Sequence, residues 1–260
     1  MAGSCFCTIA FQSDKWGSNR VVETPIDEIW PLLSEAGYDA VELWWPHVEH
    51  LSDDGLIDLG RRLAEAGLAV AMLSPYFDFT TDEGSARNSI QLGRRVLSAA
   101  RLLGSRGVRV FTGKVGSVDA DDEQWDRAIE SIQQLADDAR DLIWALETHP
   151  RNLMDTVPAT RKLLERIDRR NVGLIFQPST FTPDELAAAD ALGAATRHVH
   201  ATNRNDAGKC LLAEGSIDYP AILERLESLG FDGFVSVEWM GENPEEVARR
   251  EAWYLRNLLA

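Results

Sequence analysis

The sequence predicts a single-domain α/β fold, a (β/α)8 TIM barrel, from three observations. Short apolar runs alternate with amphipathic stretches eight times in 260 residues, which suits a closed parallel barrel better than an open doubly wound sheet. Four of the runs end on a polar residue followed by a loop: Glu147 in DLIWALETHP, Gln177 in NVGLIFQPST, His200 in TRHVHATNR and Glu238 in FVSVEWMG. No Gly-rich dinucleotide fingerprint follows the first run, which weakens the open-sheet alternative. No linker, low-complexity tract or composition break divides the chain, so residues 1–260 read as one domain.

Each element has its own local reason. The first strand is expected over 4–11, with Cys5 and Cys7 on one face. Thr24-Pro25 opens a helix over 26–36, and Gly37 closes it. A strand over 39–44 leads to Ser52-Asp53-Asp54, a strong start for a helix over 52–66 that stops at Gly67. The strand over 68–73 precedes a long helix over 84–104, ended by Gly104. Strands over 107–112, 142–147 and 172–177 alternate with helices over 122–140, 155–168 and 183–193, the last opened by Thr182-Pro183. The strand over 197–201 precedes a helix over 217–229, stopped at Gly230; the strand over 234–238 precedes a helix over 243–259.

Strand parity then fixes direction. If Glu147 points into the barrel, so do Ala145 and Ile143, while Trp144 and Leu146 face the helices. The same rule groups Gln177 with Ile175 and Gly173, His200 with His198, and Glu238 with Ser236 and Phe234. Carboxyl ends of barrel strands converge on one mouth, where catalytic groups are normally placed. Two carboxylates, an imidazole and an amide oxygen meeting there suit a divalent metal.

Composition limits the partners. A net charge of −16 disfavours nucleic acid and anionic membranes. No run approaches a membrane span, and the N-terminal MAGSCFCTIAFQSDKWG lacks the pattern of a signal peptide. Three cysteines, Cys5, Cys7 and Cys210, show no zinc spacing and fit a reducing, cytoplasmic setting.

The phrases GYDAVELW, LETHPRNLMDTVPAT, NVGLIFQPST, RHVHATN and FDGFVSVEW, in this order and spacing, resemble the xylose isomerase-like TIM barrels, the sugar phosphate isomerase/epimerase superfamily. The resemblance spans nearly the whole chain. It implies a divalent metal, with manganese leading and magnesium, cobalt and zinc as alternatives, held by Glu147, Gln177, His200 and Glu238. It also implies that Glu147 and Glu238 are the catalytic acid/base pair, working on a sugar, sugar phosphate or cyclic polyol next to its carbonyl. The sixth-strand phrase departs from the family pattern, an Asp with a His three residues on; here Gln177 and Thr180 occupy those positions. Isomerisation or epimerisation is the leading expectation. A dehydratase or lyase, including cleavage of oxidised glycosides, is the alternative, and a non-catalytic binding or partner subunit is a third.

Further candidates for substrate binding lie near the same rim. They are Glu42 and Trp44 at the end of the second strand, Lys114 in FTGKVGS, His149 two residues past Glu147, Arg204 in TNRND, and Trp239 beside Glu238. With Trp45, Pro46 and His47, and with Tyr76, Phe77 and Phe79, these suggest an aromatic-walled pocket for a small carbohydrate-like molecule. His50 and His198 read as structural. The long third helix and the C-terminal helix offer faces for a homo-oligomer.

Overall fold

Eight of the apolar runs form parallel strands that close on themselves. In the computed structural model, which describes residues 2–13 and 21–260, these are β1 (Gly3–Cys7), β2 (Ala40–Trp44), β3 (Ala69–Ser74), β4 (Gly107–Val110), β5 (Ile143–Glu147), β6 (Val172–Phe176), β7 (Thr196–Ala201) and β10 (Phe234–Val237). A short antiparallel hairpin, β8 (Asn203–Asn205) with β9 (Gly208–Cys210), follows β7. The closed order is β1-β10-β7-β6-β5-β4-β3-β2. β1 completes the ring by pairing with β10 on one side and β2 on the other.

The surrounding helices are α1 (Ile26–Ala36), α2 (Asp53–Glu65), α3 (Glu83–Leu103), α4 (Asp122–Asp138), α5 (Val157–Ile167), α6 (Glu185–Leu192), α7 (Tyr219–Ser228) and α8 (Pro244–Leu258). Side chains satisfy the unpaired amides at several helix starts. Ser52 accepts from the Gly55 amide, Asp82 from Ser85, and Asp218 from Ala221. Asp121 and Gln124 form a reciprocal capping box at α4. α1 and α3 end on left-handed Gly37 and Gly104, as expected from the sequence.

The barrel interior is filled by inward positions. Met72, Ala145 and Ile175 pack together, with Ile143 against them; Cys5, Ala40 and Ala71 form another cluster, with Phe234 against it. Gly107 allows this closeness, since a Cβ there would lie 2.6 Å from the Ile143 carbonyl oxygen. Phe6, Val41, Leu43, Leu146, Leu174 and Val199 join the larger core shared with the helices. The three cysteines are buried and free. Among the described residues no helix is long and apolar enough to cross a membrane.

Two sequence expectations need correction. The strand expected over 4–11 stops at Cys7, and Thr8–Phe11 turns as a 3-10 helix. Thr8 Oγ1 accepts the Trp44 amide at 3.0 Å and meets His47 Nδ1 at 3.0 Å, which bends the chain over the end of β2. An apolar run records burial and does not separate a strand from a buried turn. The stretch after β7, read as a plain loop, is the β8–β9 hairpin. Asn203 anchors it, donating to the Leu212 and Ile217 carbonyls while accepting from the Arg204 and Ile217 amides. Positions 1 and 14–17 of the N-terminal phrase lie outside the described residues.

Candidate active site

The carboxyl ends of β5, β6, β7 and β10 bring the four sequence-marked residues together. Glu147 closes β5 and His200 lies within β7, whereas Gln177 and Glu238 fall one residue beyond β6 and β10. His200 Nδ1 is 3.6 Å from a Glu147 carboxylate oxygen and 4.0 Å from one of Glu238. The ligand atoms of Glu147, His200 and Glu238 all lie within 4.8 Å of one another. Two buried atoms, His200 Nδ1 and Gln177 Oε1, have no hydrogen-bond partner among the described residues. Buried polar atoms without partners are costly, and two carboxylates, an imidazole and an amide oxygen are the donor set of a divalent cation. The residues fit such an ion.

Glu42 determines which imidazole nitrogen faces this cluster. Its buried carboxylate accepts from His200 Nε2 at 3.0 Å, from His198 Nε2 at 3.0 Å and from Ser74 Oγ at 2.6 Å. With Nε2–H committed to Glu42, Nδ1 of His200 is presented to Glu147 and Glu238, the outer-shell arrangement that orients a ligand histidine. Glu42, His198 and His200 also have ligand geometry, but the atoms that face one another, the Glu42 oxygens and the two Nε2 atoms, are engaged in hydrogen bonds.

The buried charges act strongly on one another. Burial alone would raise the Glu42 carboxyl, yet His200 and His198 outweigh it and hold it well below the usual range. Burial would depress His200, but Glu42, Glu147 and Glu238 raise it well above an ordinary imidazole. Glu147 is also lowered: His200 and Arg109 overcome the burial that pushes it up. Glu238 moves the other way, raised by burial and by the Glu147 charge against the pull of His200. The two carboxylates of the pair are thus driven apart.

Arg109 is a further candidate site residue, absent from the expectations drawn from the sequence. It lies on β4 opposite inward-facing Ala145 and is fully enclosed. Its guanidinium donates to Glu147 Oε2 at 3.1 Å and to the Pro75 carbonyl at 3.0 Å, and it lies over the Tyr76 and Phe111 rings. The parity rule applied to GVRVF would have found it, since Gly107, Arg109 and Phe111 share a phase. Removing one partner of such a buried pair costs about 3–5 kcal/mol.

Above these groups opens a cavity of about 660 Å³, lined by Glu147, Gln177 and Glu238, with Arg109 beneath. Lys114, His149 and Arg204 also line it. His149 Nδ1 donates to the Pro150 carbonyl, leaving Nε2 available as an acceptor, and its ring packs on Phe111. Lys114 is 3.5 Å from Asp78 and mostly exposed. Three other expected contacts are not brought to the cavity wall. Glu42 lies behind His200, Trp44 is buried edge-on to His47, and Trp239 Nε1 donates to the Glu242 carbonyl. The aromatic wall consists of Tyr76, Phe77 and Phe111; Trp45 and Phe79 belong to the core.

Comparison with known proteins bears on the fold and the family. A 3-dehydroshikimate dehydratase from Bacillus anthracis is 24% identical over 278 residues, spanning 96% of this chain and 95% of that protein. The crystal structure of the probable 3-DHS dehydratase AsbF, involved in petrobactin synthesis in the same organism, matches with a TM-score of 0.82 at 22% identity, over 99% of each chain. The structure of L-ribulose 3-epimerase matches with a TM-score of 0.81 at 19% identity, over 100% of this chain and 95% of that one. At such identities the structural likeness shows the fold. Residues 30–258 match the family described as the xylose isomerase-like TIM barrel, and the chain belongs to that family.

Proposed function

We propose that the protein is a divalent-metal-dependent enzyme that removes a proton next to a carbonyl of a small sugar-like or cyclic substrate, and that loss of water follows. The observation that carries this reading is the cluster of Glu147, His200 and Glu238 beneath a cavity that Glu147, Gln177 and Glu238 line, with His200 Nδ1 and Gln177 Oε1 lacking hydrogen-bond partners among the described residues. A divalent ion bound there would polarise the carbonyl and stabilise the negative charge that develops as the proton leaves. Glu147 and Glu238 serve as base and acid, Glu42 holds the His200 ring, and Arg109 keeps the Glu147 carboxylate in place. Tyr76, Phe77 and Phe111 cover the apolar face of the substrate and exclude water.

In the elimination, one carboxylate takes the proton from carbon. The electron pair forms a carbon–carbon double bond, and the neighbouring hydroxyl leaves as water with a proton from the other. This outcome is supported by the dehydratase relative aligned over 96% of the chain and by Gln177 and Thr180 in place of the isomerase family's Asp and His. A second reading, isomerisation or epimerisation, returns the proton to carbon. It is supported by the likeness to L-ribulose 3-epimerase and by the presence of both glutamates.

The deciding experiment incubates manganese-, magnesium-, cobalt- or zinc-loaded protein in deuterated water with 3-dehydroshikimate and, separately, with ketoses. Mass loss equal to water from the first supports elimination; deuterium gained by a ketose without other mass change selects isomerisation. Glu147→Gln and Glu238→Gln are each expected to lower turnover roughly 10²–10⁴-fold with the fold intact by circular dichroism. Normal turnover in either variant would overturn both readings.

A further inference from the structure

The β8–β9 hairpin places two cations directly opposite one another. Arg204 pairs with Lys209 across the ladder, so both side chains leave the same face. That face is the cavity, because Arg204, Lys209 and Thr202 all line it. Like charges in directly opposed positions destabilise a hairpin. Here the hairpin is nevertheless firmly built: the Asn203 side chain makes four backbone hydrogen bonds at its base, and the Ser216 amide donates to the Arg204 carbonyl. A Cβ at Gly215 would fall 2.0 Å from the Asn203 side chain, so the neighbouring backbone is fitted to that anchor.

Among the described residues neither cation forms a salt bridge, and Lys209 Nζ donates only to the Met240 carbonyl, at 3.2 Å, with the Glu238 charge acting on it through space. Burial, then the nearby Arg204 charge, depresses the Lys209 ammonium. The cavity wall carries Arg109, Lys114, Arg151, Arg204 and Lys209 against the carboxylates Glu147 and Glu238, with Lys114 met by Asp78. This local excess of positive charge sits in a chain of net charge −16. Glu147 is already paired with Arg109, and Glu238 is turned toward His200.

We infer that Arg204 and Lys209 form a two-pronged clamp for an anionic oxygen group, a carboxylate or phosphoryl carried by the substrate, and hold its uncharged remainder over Glu147 and Glu238. The inference rests on the proposed function only in calling the ligand a substrate. An opposed pair of cations also gives selectivity, because a neutral ligand leaves their repulsion unrelieved.

The test uses three ligands on one cyclohexane polyol scaffold: quinate, myo-inositol 1-phosphate and neutral myo-inositol. Thermal stabilisation of the metal-loaded protein is measured against ligand concentration at constant ionic strength. At least one charged ligand is expected to raise Tm saturably while myo-inositol does not, and whichever acts identifies carboxylate or phosphoryl as the group taken. Arg204→Gln and Lys209→Gln should each weaken that ligand roughly tenfold, and Lys209→Arg should retain it. The clamp is overturned if neither charged ligand stabilises, if all three stabilise equally, or if both glutamine variants bind as the wild type does. Turnover is not read, so a clamp that binds in a protein without lyase or isomerase activity would overturn the catalytic reading alone.

Discussion

On the proposed reading, Gln177 would set how firmly an ion is held. It would supply an oxygen without charge beside the two carboxylates of the cluster, Glu147 and Glu238. Gln177→Asp is expected to tighten divalent-metal binding roughly tenfold or more, because affinity follows ligand charge; chelator competition measures it, and unchanged affinity would place the side chain away from the ion. Glu42→Gln replaces the charged two-oxygen acceptor that orients His200 with one neutral amide oxygen and should weaken binding roughly 10–100-fold, read by the same titration. Much at this scale was legible. Glu147, Gln177, His200 and Glu238 stood out because each breaks an apolar run at its carboxyl end. Glu42 carried the same mark, and only the structure separates it from the cavity, since the side chain reaches across the barrel to residues 156 and 158 positions later. Arg109 was overlooked because it sits inside its strand, where a lone charge is easily assigned to a helix-facing surface.

Elements are governed by their ends. Asp121 caps α4, and Gln124 both completes the capping box and donates to the Thr80 carbonyl, which ties the helix to the loop after β3. Asp121→Ala is expected to lower stability by about 1 kcal/mol, measured as a shift of the urea midpoint at constant slope. All eight helices were visible in sequence to within about two residues at each end, since caps, glycine stops and period are local signals. The β8–β9 hairpin was not. Its strands are three residues long and largely polar, so no alternation exists to read, and its stability comes from one buried asparagine bonded to carbonyls that follow it. The first strand was read too long for the opposite reason: TIAF is wholly buried, but what shapes it is contact with Trp44 and His47.

The stability of the whole molecule should depend on pH through two groups away from the cavity. Burial depresses His47 to about 4, and its ring is held between Thr8 and Gln12. The unfolded chain therefore binds the extra proton first, and stability falls as pH drops from about 6.5 to about 4, by about 3 kcal/mol in full. Glu251 has the opposite sign: burial raises it to about 7, against the Leu212 amide that donates to it. The folded chain holds that proton longer, so stability falls as pH rises from about 4.5 to about 7. The two slopes oppose each other where they overlap. Urea titrations across pH 4–7 on His47→Gln and Glu251→Gln should each unmask the other group, and identical profiles in wild type and both variants would refute the assignment.

Closure of the ring by β1 against β10 has a practical corollary. β1 enters the barrel from the end opposite the cavity, and α8, antiparallel to the strands and packed beside α1, returns there. Both chain ends thus emerge on the far side from the cavity. A fusion partner at either terminus should leave ligand access untouched. A circular permutant that joins the two ends of this chain and reopens it at Gly67 or Gly230, both on that far side, should fold with the cavity intact. Loops on the cavity side offer no such freedom.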